Sequence, residues 1–123
     1  MKTLALLAIF SLSSISAAVI EGDYVVKGYD PYVQVNYTGE ATIRKDKNNV
    51  YQMDMTFEGL KHRATGMMCC DGKIAFISLG PALVRNGQID LYLTVYKIQE
   101  NTLDGEWVYY GKDLLGTEIL TKN

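Results

Sequence analysis

Staples, excess charge and helix-length amphipathic runs are all scarce in this chain of 123 residues. Its only two cysteines, Cys69 and Cys70, are neighbours. Adjacent residues in a strand point to opposite faces, so this pair cannot close a long loop and stabilise a fold in that way. Intermolecular pairing stays open, and the core has to hold the fold alone. Charge of one sign is also missing: 12 basic residues face 14 acidic ones. The tightest cluster, Arg44-Lys-Asp-Lys47, is short and mixed, as in a solvated turn. No electrostatic footprint for DNA or RNA is present. No apolar run after the N-terminus is long enough to cross a bilayer, which takes about 20 residues in a helix.

The N-terminus is different. Lys2 precedes an apolar run from Leu4 to Leu12, and small residues follow, with Ser16 and Ala18 three residues and one residue before Val19. That layout predicts a secretory signal peptide over 1–18 and a single domain over 19–123. The expected location is extracytoplasmic, either periplasmic or secreted. No cysteine sits at the cleavage region to take a lipid anchor.

The rest of the chain reads as strand and turn in alternation. Tyr51, Met53, Met55 and Phe57 alternate with Gln52, Asp54, Thr56 and Glu58, the period of a half-buried strand. Val35, Tyr37, Gly39, Ala41 and Ile43 share a face by the same rule. So do Ile89, Leu91, Leu93 and Val95, and so do Leu103, Gly105, Trp107 and Tyr109. Shorter strands are predicted at Tyr24 to Lys27, Leu60 to Cys70 (with Ala64, Gly66, Met68 and Cys70 on one face), Lys73 to Leu79 and Thr117 to Leu120. Asp71-Gly72 and Asn86-Gly87 are hairpin turn pairs because they tolerate positive φ. Eight short antiparallel strands expose two edges, and closure removes both. The expected fold is therefore all-β, an up-and-down antiparallel β-barrel of about eight strands in the manner of avidin or the lipocalins. A two-sheet sandwich is the alternative.

Gly39, Gly66, Gly105 and Gly116 interrupt predicted strands, where glycine needs a reason. Crowding supplies one: a small barrel cannot hold a large ring at every inward position, and a glycine makes room for a neighbour's ring. The same space can instead form a pocket floor, with Tyr37, Trp107 and Tyr109 as candidate ligand-binding residues.

The short motifs Gly22-Asp-Tyr-Val-Val-Lys-Gly28, Tyr37-Thr-Gly-Glu-Ala-Thr-Ile43, Tyr96-Lys-Ile98, Leu103-Asp-Gly-Glu-Trp107 and Gly116-Thr-Glu-Ile-Leu120 span most of the chain. In them the chain resembles a family of small exported bacterial proteins labelled fibronectin-binding. The resemblance implies a small all-β exported protein with adhesive function and fibronectin as a partner. The chain departs from that pattern at Met67 to Cys70.

Catalytic constellations are not evident. His62 is the single histidine, no G-x-S-x-G elbow occurs, and Ser78 is the one serine after residue 18. The setting Lys61-His-Arg63 reads as exposed. Along a strand, His62 and Cys69 or Cys70 lie about 20 Å or more apart, at roughly 3.3 Å per residue, too far to act together. Met67-Met-Cys-Cys70 offers soft ligands suited to Cu(I), but at most two of them converge from one strand. Asp54 and Glu58 share an outward face. Glu118, if inward, requires a partner such as Arg44 or Arg63. Asn36-Tyr-Thr38 fits a glycosylation acceptor, a triplet common by chance.

The expected function is that of a non-enzymatic binding protein without metal or cofactor. It would contact fibronectin or another extracellular or envelope protein through loops and outward tyrosines; residues 19–123 hold nine tyrosines in all. The alternative is a carrier of a small apolar ligand inside the barrel. No nucleic-acid partner and no membrane span after cleavage are expected.

Overall fold

The computed structural model describes residues 19–80 and 90–123. The expected signal peptide, and the turn residues Pro81, Asn86 and Gly87 with Ile89, lie outside them. Eight strands form the domain: β1 Gly22–Asp30, β2 Val35–Lys45, β3 Val50–Phe57, β4 Leu60–Met68, β5 Lys73–Leu79, β6 Leu91–Ile98, β7 Thr102–Tyr109 and β8 Gly116–Lys122. Each pairs antiparallel with the next, and β1 pairs with β8 from Tyr24↔Lys122 to Tyr29↔Thr117, so the barrel is closed. Closure, rather than a sandwich, leaves no strand with unpaired backbone along its length.

Turn chemistry sets the register. Glu58 and Gly59 both have positive φ (50° and 79°) and join β3 to β4 across the pair Phe57↔Leu60. Asp71 and Gly72 do the same between β4 and β5 (50° and 69°). Two consecutive positive φ values match the right-handed twist of a hairpin. Glu58 thus belongs to a turn and not to the outward face of a strand.

The interior follows the expected alternation on most strands. Tyr24, Val26, Ala41, Ile43, Met53, Met55, Ala64, Ile74, Phe76, Leu103 and Leu120 form one buried cluster. At the end where β1 begins, Ile20 is buried and accepts a 2.6 Å hydrogen bond from Tyr24 Oη through its carbonyl. This end is plugged. Outward positions include Glu40, Arg44, Asp54, Lys61, Arg63, Lys97, Asp104 and Glu106, all exposed. Charge on the outside and apolar side chains within is the reverse of a lipid-facing barrel.

Strand β6 departs from expectation. Leu93 faces solvent (44% exposed), while Tyr92, Thr94 and Tyr96 point inward and are buried. Leu91, Leu93 and Val95 therefore line the outside. The inward tyrosines have hydrogen-bonding partners in the barrel that the leucine face could not supply.

Candidate functional site: an aromatic cup over a buried carboxylate

The end opposite the plug carries the turns 31–34, 58–59 and 110–115. It opens into a cavity of about 240 Å³ lined by Tyr37, Phe57, His62, Tyr92, Trp107, Tyr109 and Glu118, with Asp30 and Glu58 at its margin. One row of cross-strand neighbours builds its floor. Tyr37 on β2 pairs with Gly28 on β1, Gly28 with Glu118 on β8, Glu118 with Gly105 on β7, and Gly105 with Tyr96 on β6. The two glycines explain the row. A Cβ on Gly28 would collide with the Tyr37 ring, and one on Gly105 would stand 2.5 Å from the Tyr96 ring. Each ring folds across its glycine toward β8, and the two hydroxyls meet at Glu118 from opposite sides.

Gly116 is covered in the same way by the Trp107 ring, Gly39 by Phe57 and Gly66 by Phe76. The four glycines singled out in the sequence therefore all lie under a cross-strand ring. Gly28 adds a fifth such pair that sequence reasoning did not single out.

Glu118 is 3% exposed. Its Oε1 accepts from Tyr37 Oη at 2.7 Å and its Oε2 from Tyr96 Oη. Trp107 Nε1 donates to Tyr37 Oη at 2.9 Å. Indole N–H can only donate, so the Tyr37 proton is left free to turn toward the carboxylate. Burial raises the Glu118 pKa above the ordinary carboxylate value, and the Tyr96 and Tyr37 hydroxyls pull against that rise. Burial also raises Tyr37 and Tyr96, and the Glu118 charge beside them adds to the effect.

Two expectations are corrected at this site. Glu118 is inward, but its partners are tyrosines: Arg44 and Arg63 lie on the outer surface, 3.1 and 3.9 Å from Asp54. His62 is half-buried rather than exposed. Strand alternation turns it inward between exposed Lys61 and Arg63. Its Nδ1 lies 3.1 Å from Tyr92 Oη and its ring meets Phe57 edge-on at 5.1 Å. Burial lowers its pKa, with Asp90 opposing.

The three candidate ligand-binding residues lie together. Trp107 and Tyr109 have ring centroids 5.1 Å apart, and Tyr37 stands 6.5 Å from Trp107. Tyr32 joins them from the β1–β2 turn, 5.2 Å from Tyr109 and 6.1 Å from Trp107. It is clasped there because its hydroxyl donates to Leu114 O at 2.6 Å and accepts from Leu114 N at 3.1 Å. This aromatic role for Tyr32 had no signal in the sequence, since it sits outside any strand. The premise of outward tyrosines also changes. Tyr24, Tyr51, Tyr92 and Tyr96 are buried, and only Tyr29 (39%) and Tyr110 (81%) count among the exposed large apolar residues.

Ser78 and Thr94 are fully buried beneath the cup. Ser78 Oγ faces the Tyr92 hydroxyl without reaching hydrogen-bond geometry, and Thr94 Oγ1 also lacks a partner. No substrate can reach a serine so enclosed. Cys69 and Cys70 lie in the β4–β5 turn at the plugged end, exposed and free, with Sγ atoms 2.9 Å apart. The Cys70 thiol hydrogen bond holds Cys69 below the usual thiol pKa. His62 sits near the start of β4 and the two cysteines follow its far end. Met67, on β4, points outward (64% exposed). Comparison with protein-family models gives no match, and neither does comparison with curated proteins.

Proposed function

We propose that this chain is an exported, non-enzymatic binding protein whose barrel mouth holds one small organic molecule. The observation that carries this reading is the cup: rigid strands hold six ring-bearing side chains around a cavity of about 240 Å³ with the Glu118 carboxyl at its floor. Ligand sites combine a mostly apolar concave wall with few placed polar groups in this way. At about 30 Å³ per water molecule, the space equals roughly eight waters, which sets the size of the guest. The apolar core beneath fixes the cup's geometry before any ligand arrives, which limits the ordering cost of binding.

Native mass spectrometry of protein purified from its own source tests the reading. A retained small molecule that leaves on mild activation is the expected result. Protein that stays bare and whose Trp107 fluorescence ignores a broad small-molecule panel would overturn it.

A second reading, adhesive contact with a protein such as the fibronectin implied by the sequence resemblance, draws on a different surface. On the outside of β5 and β6, Ile77 pairs with Leu93 and Leu79 with Leu91, with Ile77 and Leu79 more than half exposed. They border an open groove of about 590 Å³ whose other wall holds Arg44, Asp54 and Arg63. A contiguous exposed apolar patch rimmed by charge is a feature of protein-binding surfaces. Titration of immobilised fibronectin tests it: Ile77→Asp should weaken binding, and no saturable binding below about 10 μM (roughly −7 kcal/mol) counts against it.

A further inference from the structure

We propose that the guest of the cup is a small organic cation, an alkylammonium group seated against the rings of Tyr37, Trp107 and Tyr109 with Glu118 as its counter-charge. The inference rests on the reading of the cup as a ligand site and names the chemistry of what enters it.

Charge balance is the first argument. Glu118 is buried with both oxygens accepting from hydroxyls, the arrangement that suits the ionised form. Yet no lysine or arginine among the described residues pairs with it. Arg44 and Arg63 are engaged outside with Asp54, and Lys122 Nζ bonds Val19 O near the plugged end. A buried carboxylate with no cation is costly, and a cation entering from solvent removes that cost. Burial lifts the Glu118 pKa, in line with a charge that lacks its complement.

The walls are the second argument. Tyr32, Tyr37, Tyr92, Trp107 and Tyr109 form a chain of rings whose neighbouring centroids lie 5.1 to 6.5 Å apart. A cation is attracted to a ring face within about 6 Å of its centroid, and several faces around one space make a cage for a quaternary or alkylated ammonium. The attraction strengthens where a bound guest displaces water from the rings.

The entrance is the third. Asp30 and Glu58 stand at the margin of the cavity. Asp90 lies close enough to act on both His62 and Tyr109. In the turn 110–115, Asp113 offsets Lys112. Acidic side chains such as these, among the described residues, draw cations in and turn anions away. A neutral apolar guest would satisfy the rings but leave Glu118 uncompensated.

Choline and its neutral carbon isostere, 3,3-dimethylbutan-1-ol, separate these cases because they share shape and differ in charge. Binding of each to the full chain is followed by Trp107 fluorescence and by calorimetry. Choline is expected to bind at least about tenfold more tightly, the discrimination that cation–ring attraction and one counter-charge supply together. Glu118→Gln should shrink that ratio. Should this variant fail to fold, Tyr109→Leu at the half-exposed rim should weaken choline more than the alcohol. Equal binding of the two, or tighter binding of the alcohol, overturns the cation assignment and leaves a small-molecule site standing. If neither binds while native mass spectrometry finds another guest, the assignment also falls and the site stands. If neither binds and no guest is found, both fall.

Discussion

Glu118 and the two tyrosines that reach it decide most of what single substitutions should do. Tyr96→Phe removes one of two donors to a buried carboxylate, and hydrogen bonds to charged groups contribute about 1.5–3 kcal/mol. A loss of about 2 kcal/mol is expected by urea denaturation, and it should shrink in a Glu118→Gln background, where the acceptor is neutral. Gly105→Ala places a methyl against the Tyr96 ring. Overpacking of this kind costs about 1–3 kcal/mol, and a change near zero would show that the ring has room to move aside. Protonation adds two opposed slopes. The Glu118 pKa is raised in the folded state, so its carboxyl opposes folding increasingly as pH rises from the unfolded carboxylate value through the folded one. The His62 pKa is lowered, so its contribution is complete above the unfolded imidazole value and is lost as pH falls below it. Stability measured from pH 4 to 8 should therefore fall less steeply toward the alkaline side in Glu118→Gln, and less steeply toward the acid side in His62→Phe. Tyr24, Tyr37, Tyr92, Tyr96 and Tyr109 are all raised by burial, so their tyrosinate absorbance should appear together with unfolding above about pH 10.

At the scale of strands, closure between β1 and β8 sets the expectations. Ile119 is exposed on the outer face, yet its backbone pairs with Lys27 across the seam. Ile119→Pro should cost about 3 kcal/mol or more through the lost ladder hydrogen bond. Leu114→Ala, in the turn before β8, should be nearly neutral, and thermal unfolding measures both variants. The strands are also where sequence legibility divides. Period two over Tyr51 to Phe57 fixes both strand and inward face, because polar residues hold every other position. On β6 both faces carry bulky residues, and counting apolar side chains selects the wrong one. The face is decided by what lies across the sheet: Gly105 leaves room for Tyr96, and Glu118 gives its hydroxyl a partner. Register of this kind is invisible from one strand alone. His62 shows the same limit, since flanking Lys61 and Arg63 mark their own face as exposed and say nothing of the residue between them. Turns were more readable where the residues tolerate positive φ, as at Asp71-Gly72. The cup was legible only as its parts, Tyr37, Trp107 and Tyr109. Its floor depends on four cross-strand pairings at once.

For the molecule as a whole, the chain must bring its first and last strands together before any ring of hydrogen bonds is complete. Such non-local pairing slows folding, and refolding in milliseconds to seconds is expected by stopped-flow Trp107 fluorescence. The plug at one end has a separate consequence. With Ile20 and Tyr24 closing the far side, the described residues form a blind well. A guest of the proposed site would leave by the path it took in. Narrowing or widening the lip, for instance at exposed Val33, should slow or speed arrival and departure by the same factor and leave the dissociation constant unchanged.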